Sequence, residues 1–174
     1  MLLLFSRSSG SMRKLSAIEW LHGSPKELSR FDVNAVSVNR TGNVAGIYLT
    51  QEFPVAKQHA TGYNKHNGFI HTVEVSGLKT FVDKKTKVTE AMAAEYRRLL
   101  LKHYHYTEDW LDAAIIPDFL ETGKFKDVSG EIKREVYETG GYNSYLFQDM
   151  FAPSLVVFDP AKVKITDVTP IEKE

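Results

Sequence analysis

The chain has 174 residues, of which 43% are hydrophobic and 25% charged, with 22 Lys and Arg set against 22 Asp and Glu. This length suits a single domain, 15–174, able to bury roughly 70% of its unfolded surface. Zero formal charge argues against a protein held to nucleic acid chiefly through phosphates. The absence of cysteine excludes disulfides, thiolate catalysis and zinc–cysteine sites, and no metal is expected.

Met1–Phe5 is apolar but too short for a secretory signal, and no stretch approaches the ~20 apolar residues of a membrane helix. A cytoplasmic protein without a membrane partner is therefore expected. Ser6–Met12 reads as a flexible leader or cloning scar, so 1–14 is set outside the fold. Ile18–His22 is expected to be a strand entering a His22-Gly23-Ser24 turn, where glycine would let a ligand approach the backbone. Pro25–Leu28 reads as a turn, and polar Val33–Asn43 as a loop. Gly46–Thr50 is expected to be a strand and Glu52–Tyr63 a helix, with Pro54 tolerated in its first turn.

Phe69–Val75 alternates with period two and is the clearest half-buried strand. Phe81–Asp83 is a short extended piece. Thr89–Tyr106 is predicted to be the longest helix, capped by Thr89. Glu108–Leu120 follows as a helix interrupted at Pro117. Ser129–Glu138 forms a third helix of this block, capped by Ser129 and stopped by Gly140-Gly141. Ser144–Phe147 and Leu155–Phe158 return to strands, and Val163–Ile165 is a final edge segment. Strand-rich ends around a helical block predict an α+β fold.

Trp20-Leu21-His22-Gly23-Ser24, then Gly46-Ile47-Tyr48-Leu49, then Leu155-Val156-Val157-Phe158-Asp159-Pro160 resembles the ADP-ribosyltransferase superfamily. The likeness is to its diphtheria-toxin and poly-ADP-ribose polymerase branch, and within it to small bacterial and phage domains. It covers Trp20 to about Ile165 and implies two packed antiparallel sheets forming an NAD cleft, with Thr89–Glu138 as a helical insertion. It further implies that His22 hydrogen-bonds the adenosine ribose, that the Gly23 backbone and Ser24 hold the nicotinamide amide, and that Tyr48 stacks on the ring. The position eleven residues after Tyr48, a second stacking aromatic in the family, is His59 here.

The chain departs from the family at the start of the last motif strand. Ser154 stands where a glutamate normally binds the nicotinamide ribose and stabilises the developing cation. Losing such a stabiliser typically costs about 3–4 kcal/mol of barrier. Gln148, Glu138 and, best placed, Asp149 are local substitutes. The expected activity is mono-ADP-ribosyl transfer from NAD, as co-substrate, to a macromolecular acceptor, of a toxin or phage-effector type with an antitoxin as possible partner. Gln148–Pro153 would select the acceptor, which the sequence leaves open between a protein, a nucleic acid and a free nucleotide. Two alternatives stand beside it. One is a non-catalytic NAD-binding or protein-interaction module, motivated by Ser154. The other is an RNA 2′-phosphotransferase, disfavoured by the lack of an arginine cluster around His22.

Other features have plainer readings. His103 and His105 point to different helix faces, against a shared metal. Tyr104, Tyr106, Trp110, Phe119 and Phe125 are expected to pack the helical block onto the sheets. Lys84-Lys85-Thr86-Lys87 reads as a solvated turn.

Overall fold

The computed structural model describes residues 19–32, 43–148 and 152–174. The expected leader 1–14, most of the Val33–Asn43 loop, and Asp149 lie outside them. Seven strands are present among the described residues: β1 (Trp20–Ser24), β2 (Ile47–Thr50), β3 (Gly68–Val75), β4 (Thr80–Val82), β5 (Ser144–Gln148), β6 (Pro153–Val157) and β7 (Val163–Ile171). They form one sheet in the order β4-β5-β6-β2-β1-β3-β7. The β4–β5 pair is parallel and the other pairs are antiparallel.

The expectation of two antiparallel sheets is corrected here to one mixed sheet. Its two halves meet at a narrow seam, where β1 and β2 pair only through Leu21 and Thr50. Away from that pair the strands part. Alternation then sends side chains of each strand to different cores. Leu155 and Val157 of β6, with Ile47 and Leu49 of β2, join Val73 and Val163 from the other half in one buried cluster. Val156 points the opposite way, into the core beneath the helices.

Helix α1 (Phe53–Thr61) follows β2 at once, with Pro54 in its first turn and Gly62 at its end in the left-handed region (φ 57°). Helix α2 (Glu90–His103) is capped by Thr89, whose hydroxyl accepts from the Met92 amide at 3.3 Å. It ends three residues short of the expected Tyr106. The expected Glu108–Leu120 helix is not broken at Pro117. A turn of α-helix, α3 (Glu108–Trp110), widens into π-helix over Leu111–Ile115 and resumes as α4 (Ile116–Thr122), with Pro117 in the first turn of α4. A proline lacks the N–H that a regular ladder would use, and a widened turn before it absorbs that loss. Helix α5 (Gly130–Thr139) is capped by Ser129 as expected. Tyr96, Phe119 and Phe125 meet ring to ring with centroids 4.7–5.0 Å apart, and Tyr104 stacks on Tyr106 at 6.0 Å. The aromatic series packs the helical block, as its residue types suggest. The final strand β7 runs to Ile171, six residues past the expected end, because it pairs along the whole of β3.

The contact that fixes the other side of the sheet is between backbones. A Cβ on Gly23 would overlap the Ala56 carbonyl oxygen and lie 2.8 Å from the Ala60 amide. One on Gly68 would overlap the Ala60 carbonyl oxygen. Helix α1 therefore rests directly on β1 and β3, with Ala56, Ala60 and Ile70 buried between them. Gly68→Ala is expected to destabilise the protein by about 1–3 kcal/mol, the usual range for overpacking, through displacement of α1. A thermal melt checks this, and an unchanged melting temperature would show that the helix can shift freely.

Candidate functional site

Where β1 and β2 part, α1 closes the gap from above, and the three elements enclose a cavity of about 440 Å³. That volume is in the range of small-molecule sites. Its walls include His22 and Gly23 from β1, Gly46 just before β2, Tyr48 and Thr50 from β2, Val55, Ala56 and His59 from α1, Phe147 from β5 and Ser154 from β6. Five of the residues singled out in the sequence thus line one space: His22, Gly23, Tyr48, His59 and Ser154.

Each is placed by local structure. The His22 ring spans the seam: Nδ1–H donates to the Tyr48 carbonyl at 2.9 Å, while the ring meets Phe31 edge-on at 5.0 Å. In that tautomer Nε2 is the acceptor end of the imidazole. Burial lowers the His22 pKa to about 4, and the neighbouring His71 and His59 push the same way. His22 is therefore neutral at physiological pH. Tyr48 donates its hydroxyl to the Val44 carbonyl at 2.6 Å, which pins the ring against the edge of Phe147 at 6.5 Å. Burial raises the pKa of its phenol, so it stays protonated. Ser154 is buried and sits opposite Thr50 in the β2–β6 register. His59 is exposed on the last turn of α1, its ring 6.2 Å from that of Tyr63.

Two expectations change. Gly23 is required first by the seating of α1, because its missing side chain leaves the space that the Ala56 carbonyl occupies. Ser24 is buried, and its hydroxyl accepts from the Lys26 amide at 3.2 Å within the turn. It does not line the cavity. Asp149 lies outside the described residues.

His71 was missed in the sequence. It is fully buried in β3 directly opposite His22, with Nε2 accepting from the Leu28 amide at 2.9 Å and Nδ1–H donating to the His22 carbonyl at 3.3 Å. Burial lowers its pKa. The signal was available: a histidine at an inward position of the most regular strand, Phe69–Val75, needs two partners, although only strand pairing says which. None of the described lining residues is Asp, Glu, Lys or Arg.

No protein-family model and no curated protein sequence matches the chain. Among solved structures, it is similar to an anti-CRISPR protein, at 17% identity and a TM-score of 0.47 over 88% of this chain and 94% of that one. It is also similar to a chain of the M. tuberculosis MbcT–MbcA toxin–antitoxin complex, at 10% identity and a TM-score of 0.43 over 89% and 84%. Among the described residues, no helix is long and apolar enough to cross a membrane.

The neutral histidines set a pH dependence. Between pH 4 and the ordinary value near 6.5, the unfolded chain binds a proton at residue 22 that the folded chain does not. Stability therefore rises with pH across that window and is lost as pH falls, by at most about 1.4 kcal/mol per pH unit for this group. His22→Asn keeps an amide donor for the Tyr48 carbonyl and removes the titration. Its melting temperature is expected to fall less steeply below pH 6.5 than that of the parent protein. Equal slopes would remove His22 as a source of acid lability.

Proposed function

We propose that this chain is an NAD-dependent mono-ADP-ribosyltransferase with its reaction centre in the cavity between β1, β2 and α1. The observation that carries the reading is the convergence, on one space, of five residues that the resemblance singles out in separate stretches of the chain: His22, Gly23, Tyr48, His59 and Ser154. Their chemistry suits a nicotinamide ring. Tyr48 and Phe147 offer aromatic surface, and His22 is neutral and repels no pyridinium. Nε2 of His22 and the Ser154 hydroxyl offer hydrogen bonds to sugar hydroxyls.

In the reaction, the bond between nicotinamide and ribose C1′ breaks, and its electron pair leaves with neutral nicotinamide. The ribose acquires oxocarbenium character, and an acceptor nucleophile forms the new bond to C1′ as its proton departs. This chain's part is positioning: a fixed Tyr48 and a His22 held by one hydrogen bond. The described walls supply no full negative charge to the developing cation, so transfer is slow compared with an enzyme that carries a glutamate there.

The lack of a carboxylate in the described lining favours a second reading, an NAD-binding module without transfer. Incubation with NAD separates the two. Release of nicotinamide, rising with cell lysate and leaving a labelled macromolecule, is expected for the transferase. An NAD-induced rise in melting temperature without release would select the binding module, and neither effect would remove both. Ser154→Glu places a carboxylate in the cavity wall and is expected to speed nicotinamide release by about 10²-fold or more. No gain in a protein that still binds NAD would remove Ser154 from the reaction centre.

A further inference from the structure

Helix α1 ends in an unusual turn beside the cavity. Gly62, Tyr63 and Asn64 follow one another in the left-handed region, with φ of 57°, 59° and 66°. Glycine and asparagine adopt that region readily, whereas the Cβ of a tyrosine crowds the backbone there. The turn is nevertheless firmly held. The Gly62 and Tyr63 amides both donate to the Gln58 carbonyl. Buried Thr61 takes the next three amides: Asn64 on its hydroxyl at 3.2 Å, and Lys65 and His66 on its carbonyl at 2.9 and 3.1 Å.

Burial does not account for a tyrosine in this turn. Tyr63 is 66% exposed, against 49% for Phe53 and 51% for Trp110. Among the described residues its one ring contact is with His59, edge to face, with centroids 6.2 Å apart and planes 65° from parallel. His59 stands in the last turn of α1 and lines the cavity between β1, β2 and α1, whereas Tyr63 is not among the lining residues. An exposed histidine at a helix end samples several rotamers unless a neighbour holds it. Strained backbone collects where a site needs a side chain kept in one place.

We propose that Tyr63 is a positioning residue for the cavity: its ring holds the His59 imidazole in the wall, so that a planar ring bound there meets a surface already formed. The inference rests on the reading of the cavity as an NAD site. Tyr63 acts through His59 and does not touch the ligand. Ordering a wall residue before the ligand arrives removes part of the ordering cost of binding.

The test is a double-mutant cycle on NAD affinity, measured calorimetrically, with a thermal melt of each variant. Tyr63→Gly removes the ring and suits the left-handed backbone. It is expected to weaken NAD binding about 2–10-fold, the equivalent of one aromatic pair, while the melting temperature stays the same or rises. Tyr63→Phe keeps the ring and is expected to bind within about twofold of the parent protein. His59→Ala is expected to weaken binding by itself, and Tyr63→Gly added to it to cause no further loss. A melting temperature that falls together with affinity in Tyr63→Gly would make the ring a support of the fold and overturn the proposal. An equal loss with and without His59 would place Tyr63 on the ligand itself and overturn the positioning role. NAD bound equally by the parent and by Tyr63→Gly would remove this inference alone. A parent protein that neither binds NAD nor releases nicotinamide would remove the NAD reading, and this inference with it.

Discussion

Helix α1 lies on β1 and β3 with no side chains between the backbones at two points, Gly23 and Gly68. Contact this close leaves little freedom in where the helix sits, because packed interiors do not deform smoothly. That constraint fixes the position of His59 in the last turn of the helix, and with it the upper wall of the cavity. It also explains why β1 and β2 can part after a single register pair. The β1 edge loses its β2 neighbour beyond Leu21 and Thr50, yet α1 covers the strand from above. An opening in a sheet is normally a liability, since it presents unpaired backbone. Here the same opening becomes a site.

Polar groups hold that opening in a neutral state. His22 and His71 stand side by side in adjacent strands, each with Nδ1–H given to a carbonyl. His71 also accepts the Leu28 amide, so both of its ring nitrogens are occupied. Two imidazolium ions at this spacing would repel, and burial opposes the charge on each. The result is a cavity whose described walls bring dipoles and aromatic faces to a ligand but no formal charge. Such a setting suits recognition of a cationic ring more than rapid stabilisation of a cationic transition state.

Much of this was legible in the sequence where a local rule decides. Thr89 and Ser129 sit at helix starts because a hydroxyl can accept an orphan amide, and both do so. The alternation of Phe69–Val75 gave a strand because period two leaves no other regular solution. The resemblance brought His22, Gly23, Tyr48, His59 and Ser154 to one place. What it did not give depended on contacts between distant segments. Ser24 looked like a ligand residue; its hydroxyl accepts from the Lys26 amide, and it is not among the lining residues of the cavity. Gly23 looked like an opening for a ligand; it lines the cavity, and the space its missing side chain leaves is also where α1 comes to rest. The length of β7 and the pairing of His71 with His22 were invisible for the same reason, since register is a tertiary property. The single sheet was likewise settled by one residue pair at the seam.

The cavity is walled by β1, β2 and α1, where the described lining holds no Asp, Glu, Lys or Arg. Tyr48 ties it to the helical half of the molecule. Its hydroxyl is tied to the Val44 carbonyl, and the neighbouring Ala45 amide is tied to the Gly130 carbonyl at the start of α5, at 3.0 Å. The position of Tyr48 is therefore set from the helical side of the molecule, while the residue lines the cavity between β1, β2 and α1. A movement of α5 would reach that ring through two hydrogen bonds and one short stretch of backbone.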